Sequence, residues 1–226
     1  MKITRRTAIA AGIAAASPWT QRAWAQNTES GPFKAPPLPY ALNALEPHLS
    51  ERAMGLHVEI HQQAAERLNA LVAGTDYAAL ELENLIVTAA DEKQWEIYDP
   101  AAQLWNHTFF FEQFRGGASL PGPVLEEALA REFGGLAGLA EVVLEAAAGV
   151  FGGGWVWLMA EGDGLFLQGV SDAVNPLGTD RQVLMGVDLW EHAYVIDYGT
   201  RQAEYLQAVV LSLTNWEAID QRFMDG

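Results

Sequence analysis

The sequence contains no cysteine, which excludes disulfide bonds, a catalytic thiol and a sulfur-ligated metal. Basic residues are also scarce beyond the start of the chain. Of the 13 Lys and Arg residues, four lie within the first 25 positions, which leaves 9 against 29 acidic residues and a formal charge of −20 on the remainder. Because a body this acidic repels phosphate groups, we expect no binding to nucleic acid.

The first 25 residues have the pattern of a cleaved export signal. Lys2, Arg5 and Arg6 precede a weakly apolar run at 7–17, and residues 23–25 form an A-x-A cleavage pattern. The run is too short and too rich in alanine to span a membrane. The adjacent arginines favour a twin-arginine signal over an ordinary secretory signal or an N-terminal anchor. We therefore expect a periplasmic or otherwise exported protein without membrane attachment after cleavage.

Proline and glycine divide the chain that follows. Residues 26–39 contain four prolines and are predicted to form an extended lead-in. Helical periodicity at 54–72 predicts one long helix, and a second is expected from an N-cap at Asp99 to about Phe114. These two helices predict a helical hairpin domain over residues 40–117.

The second half of the chain changes its period from helix to strand. The predicted elements are helices at 124–133 and 136–150, a β-hairpin at 155–159 and 165–170, a third strand at 183–190 and a last helix at 201–223. The sequence thus predicts an α+β fold. An N-terminal antiparallel helical hairpin precedes a C-terminal α/β part, residues 124–224, with a small three-stranded antiparallel sheet.

Histidine is rare, with five residues in the chain, yet four histidines and one aspartate stand at suggestive positions. His57 and His61 lie four residues apart and therefore share one face of the first helix. His107 lies among aromatic residues of the second helix. Asp188 and His192 follow an apolar strand, where a carboxylate and an imidazole converge easily on a metal. Each feature alone is also typical of an ordinary hydrogen-bonded core histidine.

Three imidazoles and one carboxylate suit iron, manganese or zinc. From the residues alone, a site with two histidines and one carboxylate for iron, or a zinc site with bound water, remains an alternative. No Ser-His-Asp arrangement, phosphate-binding glycine loop or pair of inward carboxylates competes with a metal site.

Four short segments carry more specific information. They read LPYALNALEPH at 38–48, AAQLWNHTF at 101–109, GWVWL at 154–158 and VDLWEHAY at 187–194. In order and spacing they resemble the signature segments of the iron/manganese superoxide dismutases, and the resemblance extends over residues 37–220. It implies that His57, His107, Asp188 and His192 bind one metal ion per subunit, iron or alternatively manganese. The implied substrate is superoxide, which the family converts to dioxygen and hydrogen peroxide.

The resemblance also implies roles around the metal. A glutamine at the position of Gln103 is typical of the iron type, since the manganese type has glycine there. His61 and Trp190 correspond to further catalytic residues of the family. Glu191 corresponds to the glutamate that crosses a homodimer interface to reach a ligand histidine of the other subunit. We therefore expect a homodimer.

The sequence departs from the family pattern outside the ligands. The family tyrosine about two turns beyond the first ligand is replaced by alanine, at Ala64 or Ala65. The second tyrosine of the H-A-Y-Y segment is Val195, and the pocket tryptophan after the second ligand is Phe111. The proton-relay residues are thus altered, although the four ligands are complete.

These departures leave two alternatives to a dismutase. The first is a protein of the same fold with other redox chemistry, and the second is a non-catalytic metal carrier. Because the acidic body does not attract an anion, local cations such as Arg115 or Arg201 are expected to offset its charge.

Overall fold

The computed structural model describes residues 31–225, so the predicted export signal lies outside the described residues. The helices in this range are α1 (Glu51–Val72), α2 (Leu82–Asp91), α3 (Trp95–Glu112), α4 (Pro123–Phe133), α5 (Leu136–Ala148), α6 (Glu191–Tyr198), α7 (Gln202–Ala208) and α8 (Trp216–Asp225). The strands are β1 (Gly154–Glu161), β2 (Gly164–Ser171) and β3 (Gln182–Asp188). No helix among these is long and apolar enough to cross a membrane. The predicted α+β fold, with its helical hairpin and three-stranded sheet, is confirmed.

The long first helix, α1, begins three residues earlier than predicted. Ser50 caps it, because its Oγ accepts a hydrogen bond from the Ala53 N–H at 3.2 Å. The buried face includes His57, His61 and Leu68, which recur at helical spacing and pack toward α3. Helical periodicity therefore directs the two histidines into the interior of the hairpin.

The second helix of the hairpin differs from the prediction. It begins at Trp95, so Asp99 is not its N-cap, and Pro100 lies inside it. Proline this close to a helix start removes one backbone hydrogen bond beyond those that the first turn already lacks. The structure also contains α2, which was not predicted and which packs against α3 through Leu85 and Ile86.

The described part of the predicted lead-in, residues 31–39, forms no helix or strand and packs on α1. Phe33 and Ala35 are buried in the core of the hairpin. The side chain of Asn69 accepts a hydrogen bond from the Phe33 N–H at 3.0 Å and donates one to the Phe33 carbonyl at 2.7 Å. The lead-in is therefore fixed to the folded hairpin from Phe33 onward.

The sheet is antiparallel with the order β2-β1-β3, so β1 is the central strand. Its residues are buried from Gly154 to Ala160, and Trp155 pairs with Asp188 at the end of β3. The predicted third strand ran to Trp190, but β3 ends at Asp188 and the chain turns into α6, which was not predicted. This short turn brings a strand-end carboxylate and the first turn of α6 close together.

The predicted last helix at 201–223 is interrupted. The chain forms α7, then a π-helical turn at Val209–Leu213, and then α8. Thr214 is extended, and its Oγ1 donates to the Val209 carbonyl at 2.8 Å. A helical hydrophobic pattern alone does not show this break.

One buried side chain joins the end of α3 to β3. The Gln113 amide donates to the Gly186 carbonyl at 2.6 Å and accepts from the Gly186 N–H at 3.0 Å. Gln113 is fully buried. Its side chain therefore satisfies the buried N–H and carbonyl of Gly186, which lies two residues before Asp188 on β3.

We predict that Gln113→Ala lowers the free energy of unfolding of the metal-free protein by about 2 to 4 kcal/mol, because two buried backbone groups lose their partners. Chemical denaturation measures this loss. Gln207→Ala, on the exposed face of α7, is the matched control and should change stability by less than about 0.5 kcal/mol. Equal stability of the two variants would show that Gln113 does not hold β3 in place.

Candidate metal centre

Four side chains from four different elements converge at one point. They are His57 on α1, His107 on α3, Asp188 at the end of β3 and His192 in the first turn of α6. Their ligand atoms all lie within 4.8 Å of one another. Two residues come from the helical hairpin and two from the C-terminal part, as the sequence predicts.

The centre of the cluster is a carboxylate oxygen. Asp188 Oδ2 lies 3.2 Å from His57 Nε2, 3.4 Å from His107 Nε2 and 3.2 Å from His192 Nε2. Asp188, His57 and His107 are buried, whereas 18% of the His192 side chain is exposed. Solvent therefore reaches the cluster from the side of His192.

The hydrogen bonds around the cluster leave its lone pairs directed inward. His107 Nδ1 lies 2.8 Å from the Gln103 carbonyl, an acceptor, so Nδ1 carries the proton and Nε2 presents a lone pair. The Trp190 N–H donates to Asp188 Oδ1 at 2.8 Å, which leaves Oδ2 to face the imidazoles. Among the described residues, neither His57 Nε2 nor Asp188 Oδ2 has a hydrogen-bond partner.

Converging lone pairs repel one another unless a cation lies between them. The contacts of 3.2 to 3.4 Å fit atoms that share one ion at about 2.0 to 2.2 Å. Nitrogen and oxygen donors without sulfur suit iron or manganese as well as zinc. The residues present therefore fit the metal that the resemblance implies.

The electrostatics of the cluster favour ligands in their metal-binding forms. Burial lowers the pKa of His57 to about 3, although Asp188 opposes this shift, so the imidazole is neutral at physiological pH. Burial alone would raise the pKa of Asp188, but His192, His107 and His57 hold it well below the usual range. Neutral imidazoles and an ionised carboxylate are the forms that bind a metal.

Aromatic rings enclose the cluster. Phe111 stands 4.9 Å from the His57 ring, and Trp155 stands 5.4 Å from the His107 ring. Trp190 stacks against His192 with 6.3 Å between ring centroids. This apolar shell limits the access of water to the ligands.

His61 lies beside the metal ligands without joining them. Its Nε2 is 3.0 Å from Thr108 Oγ1 and 3.2 Å from the Leu104 carbonyl, and its ring is 5.9 Å from that of His107. Burial lowers the pKa of His61 to about 3, so its ring is neutral as well. Thr108, whose role no sequence motif indicates, is thus the side-chain hydrogen-bond partner of His61.

A cavity of about 410 Å³ opens above the cluster between α1 and α3. Gln103 and Trp190 line it, together with four residues of α1 at positions i, i+3, i+4 and i+7: Ile60, Gln63, Ala64 and Arg67. Ala64 lines this cavity, whereas Ala65 is fully buried in the hairpin core. Ala64 is therefore the alanine that faces the site, and the helical spacing from Ile60 could have identified Arg67.

The two cations expected to offset the acidic body are paired elsewhere. Arg115 forms an ion pair with Glu217 at 2.8 Å, and Arg201 forms one with Glu204 at 3.1 Å. Neither lines the cavity. Both exposed arginines thus pair with acidic residues that surround them.

Known proteins share both halves of this architecture. Residues 32–115 match the family model of the iron/manganese superoxide dismutase alpha-hairpin domain, and residues 121–222 match that of the C-terminal domain. Superoxide dismutases of the Fe type from Bordetella pertussis and Legionella pneumophila are 37% and 38% identical. They align over 83% and 82% of this chain and over 97% and 95% of their own lengths.

A chloroplastic Fe superoxide dismutase of Arabidopsis thaliana is 35% identical over 84% of this chain and 69% of its own length. The matches thus extend from the helical hairpin through the sheet and α6, and they include all four residues of the cluster. The chain belongs to the iron/manganese superoxide dismutase family.

Proposed function

We propose that this protein is a superoxide dismutase with one iron ion per subunit, with manganese as the alternative metal. The observation that carries the proposal is the convergence of three imidazole nitrogens on the buried oxygen of Asp188. When bound, the metal supplies electron transfer by cycling between +3 and +2, so that one superoxide is oxidised to dioxygen and the next is reduced to hydrogen peroxide.

The chain supplies the charge of the ligands, the orientation of their rings and the opening through which substrate reaches them. Asp188 contributes the negative charge that favours the higher oxidation state, and the three histidines complete the site. The hydrogen bond from His107 Nδ1 to the main-chain carbonyl of Gln103 fixes the imidazole in the orientation that points Nε2 at the metal. Trp190 covers the ligands beside the opening of the cavity.

Reduction of superoxide to peroxide also consumes two protons. Gln103 lines the cavity, and its Oε1 is buried without a hydrogen-bond partner among the described residues. Ala64 lines the same cavity, and its methyl group makes no hydrogen bond where the family pattern has a phenol. We infer that water in the cavity takes the place of the phenol beside Gln103 and delivers protons, since a bridging water replaces a direct hydrogen bond at modest cost.

We predict that the iron-loaded protein accelerates superoxide decay and that Asp188→Asn loses iron and at least about 100-fold of this activity, because the neutral amide removes the central ligand charge. Metal analysis and a superoxide-decay assay measure the two effects. Asp180→Asn, an exposed change of the same kind, should retain both. A fully iron-loaded wild type without dismutation would instead favour other redox chemistry or a metal carrier.

The protein is further proposed to form a homodimer through the surface around Glu191. Glu191 is exposed beside the ligand His192, and Val195 follows one turn later with 44% of its surface exposed. Phe151 is 98% exposed. Gly153, two residues later, packs directly against Trp190. Fully exposed aromatic residues are unusual on a monomer and typical of interfaces.

We predict a dimer at micromolar concentration, measured by sedimentation. Phe151→Ser should weaken it, because a large apolar side chain no longer becomes buried on association. Leu120→Ser is the matched control, because it removes another exposed apolar side chain that does not belong to the segments around Phe151 and Glu191. The wild-type dimer should be weaker by about 1 kcal/mol than in relatives with tyrosine at this position, because Val195 cannot make the hydrogen bond that the family tyrosine makes to the histidine corresponding to His61. A wild-type monomer at this concentration would contradict the proposal.

The third part of the proposal is export as a folded protein through a twin-arginine signal. It is supported by Arg5, Arg6 and the A-x-A pattern at 23–25. A site of nitrogen and oxygen ligands binds copper and zinc more tightly than ferrous iron, so iron is best selected before export, in the cytoplasm. A signal for folded cargo suits a protein that receives its metal first.

We predict that replacing Arg5 and Arg6 by Lys retains the iron-loaded protein in the cytoplasm, because the twin-arginine pair is the recognised element. Cell fractionation with detection of the mature protein measures delivery. Arg22→Lys, an equivalent change near the cleavage site, should leave export intact. Unchanged delivery of the double variant would refute this route.

A further inference from the structure

Arg67 places a permanent positive charge on the cavity above the metal ligands. It lies seven residues after Ile60 on the face of α1 that lines the cavity, one turn beyond Ala64. Among the residues that line this cavity, it is the single Lys or Arg. Arg67 is also exposed, so its guanidinium stands where the cavity meets solvent.

The opposite wall carries one acidic side chain outside the metal ligands. Asp99 of α3 lines the same cavity, and the charge of Arg67 acts on it. Their side chains form no ion pair within 4 Å in the described structure, in contrast to Arg115 and Arg201. The guanidinium of Arg67 is therefore available to an approaching anion, and Asp99 reduces its field in part.

Superoxide is a small anion, and the chain beyond the predicted export signal carries 29 acidic residues against 9 basic ones. A field of this sign slows the approach of an anion unless a local cation opposes it. Resting on the proposed function, we propose that Arg67 recruits the anionic substrate into the cavity and that Asp99 limits this attraction.

Two features make Arg67 suited to this role. Its guanidinium stays protonated at every physiological pH, so its attraction does not depend on the proton supply of the reaction. Ala64, one turn closer to the ligands, has a short side chain, so at this position no bulky group separates the guanidinium from the cavity floor. Any small monovalent anion should benefit in the same way, which provides a test independent of turnover.

The experiment measures azide binding to the ferric holoprotein by absorbance titration at low ionic strength. Azide is an anion of superoxide's charge and similar size. Arg67→Gln should weaken azide binding by about three- to tenfold, as expected for two unit charges in a partly exposed site, and Asp99→Asn should strengthen it. Arg67→Lys keeps the charge and should bind azide nearly as the wild type does.

Arg181→Gln is the matched control, since it removes the same charge from a partly exposed position at the far end of β3, about 20 Å from Asp188 along the strand. It should have little effect on azide binding. The effect of Arg67→Gln should disappear at about 1 M salt, where the screening length falls to about 3 Å. The rate of superoxide decay should follow the azide affinities across the series.

Equal effects of Arg67→Gln and Arg181→Gln, or an effect of Arg67→Gln that persists at high salt, would overturn the assignment, because either result indicates net charge or local structure instead. Azide affinities that follow the predicted order in a protein without dismutation would support Arg67 as the anion-recruiting residue and reject the proposed enzymatic function. The two failures are therefore distinguishable.

Discussion

A buried carboxylate oxygen that faces three imidazole nitrogens is the constraint on which this structure depends. Asp188 is fully buried, and its Oδ2 has no hydrogen-bond partner among the described residues. Removing a carboxylate from water is costly unless an opposite charge compensates it. The carboxylate is fixed by the Trp190 N–H and by its place opposite Trp155 in the sheet, so a cation must complete the balance. The fold therefore forms a site in which a metal ion would satisfy the unpaired Asp188 Oδ2 and His57 Nε2.

Because the ligands come from two parts of the chain, their geometry requires those parts to be held together. Gln113 connects the end of α3 to Gly186 of β3, and so ties the helix of His107 to the strand of Asp188. Asp197 of α6 accepts a hydrogen bond from the N–H of Ser50, the N-cap of α1, at 2.8 Å. Each ligand-bearing element of the hairpin is thus linked by a buried or capping contact to a ligand-bearing element of the second part.

The sequence predicts the fold class and all four ligands because these depend on local periodicity and on short segments with a fixed order. It does not predict α6, since an apolar run that continues to Trp190 hides the turn after Asp188. It also misplaces the start of α3, because Asp99-Pro100 resembles a helix start. Gln113 escapes notice for a different reason: its hydrogen bonds join residues 73 positions apart, and no local pattern encodes such a contact.

The same distinction explains the cavity. The resemblance to the family indicates that a tyrosine is missing, but it does not show whether Ala64 or Ala65 takes its place. In the structure α1 is continuous, so its 3.6-residue period decides which side chains face the ligands. That period assigns Ala64 to the cavity, Ala65 to the core and Arg67 to the opening. Ala64 and Arg67 thus line the same face one turn apart, with a methyl group where the family pattern has a phenol and a positive charge at the entrance.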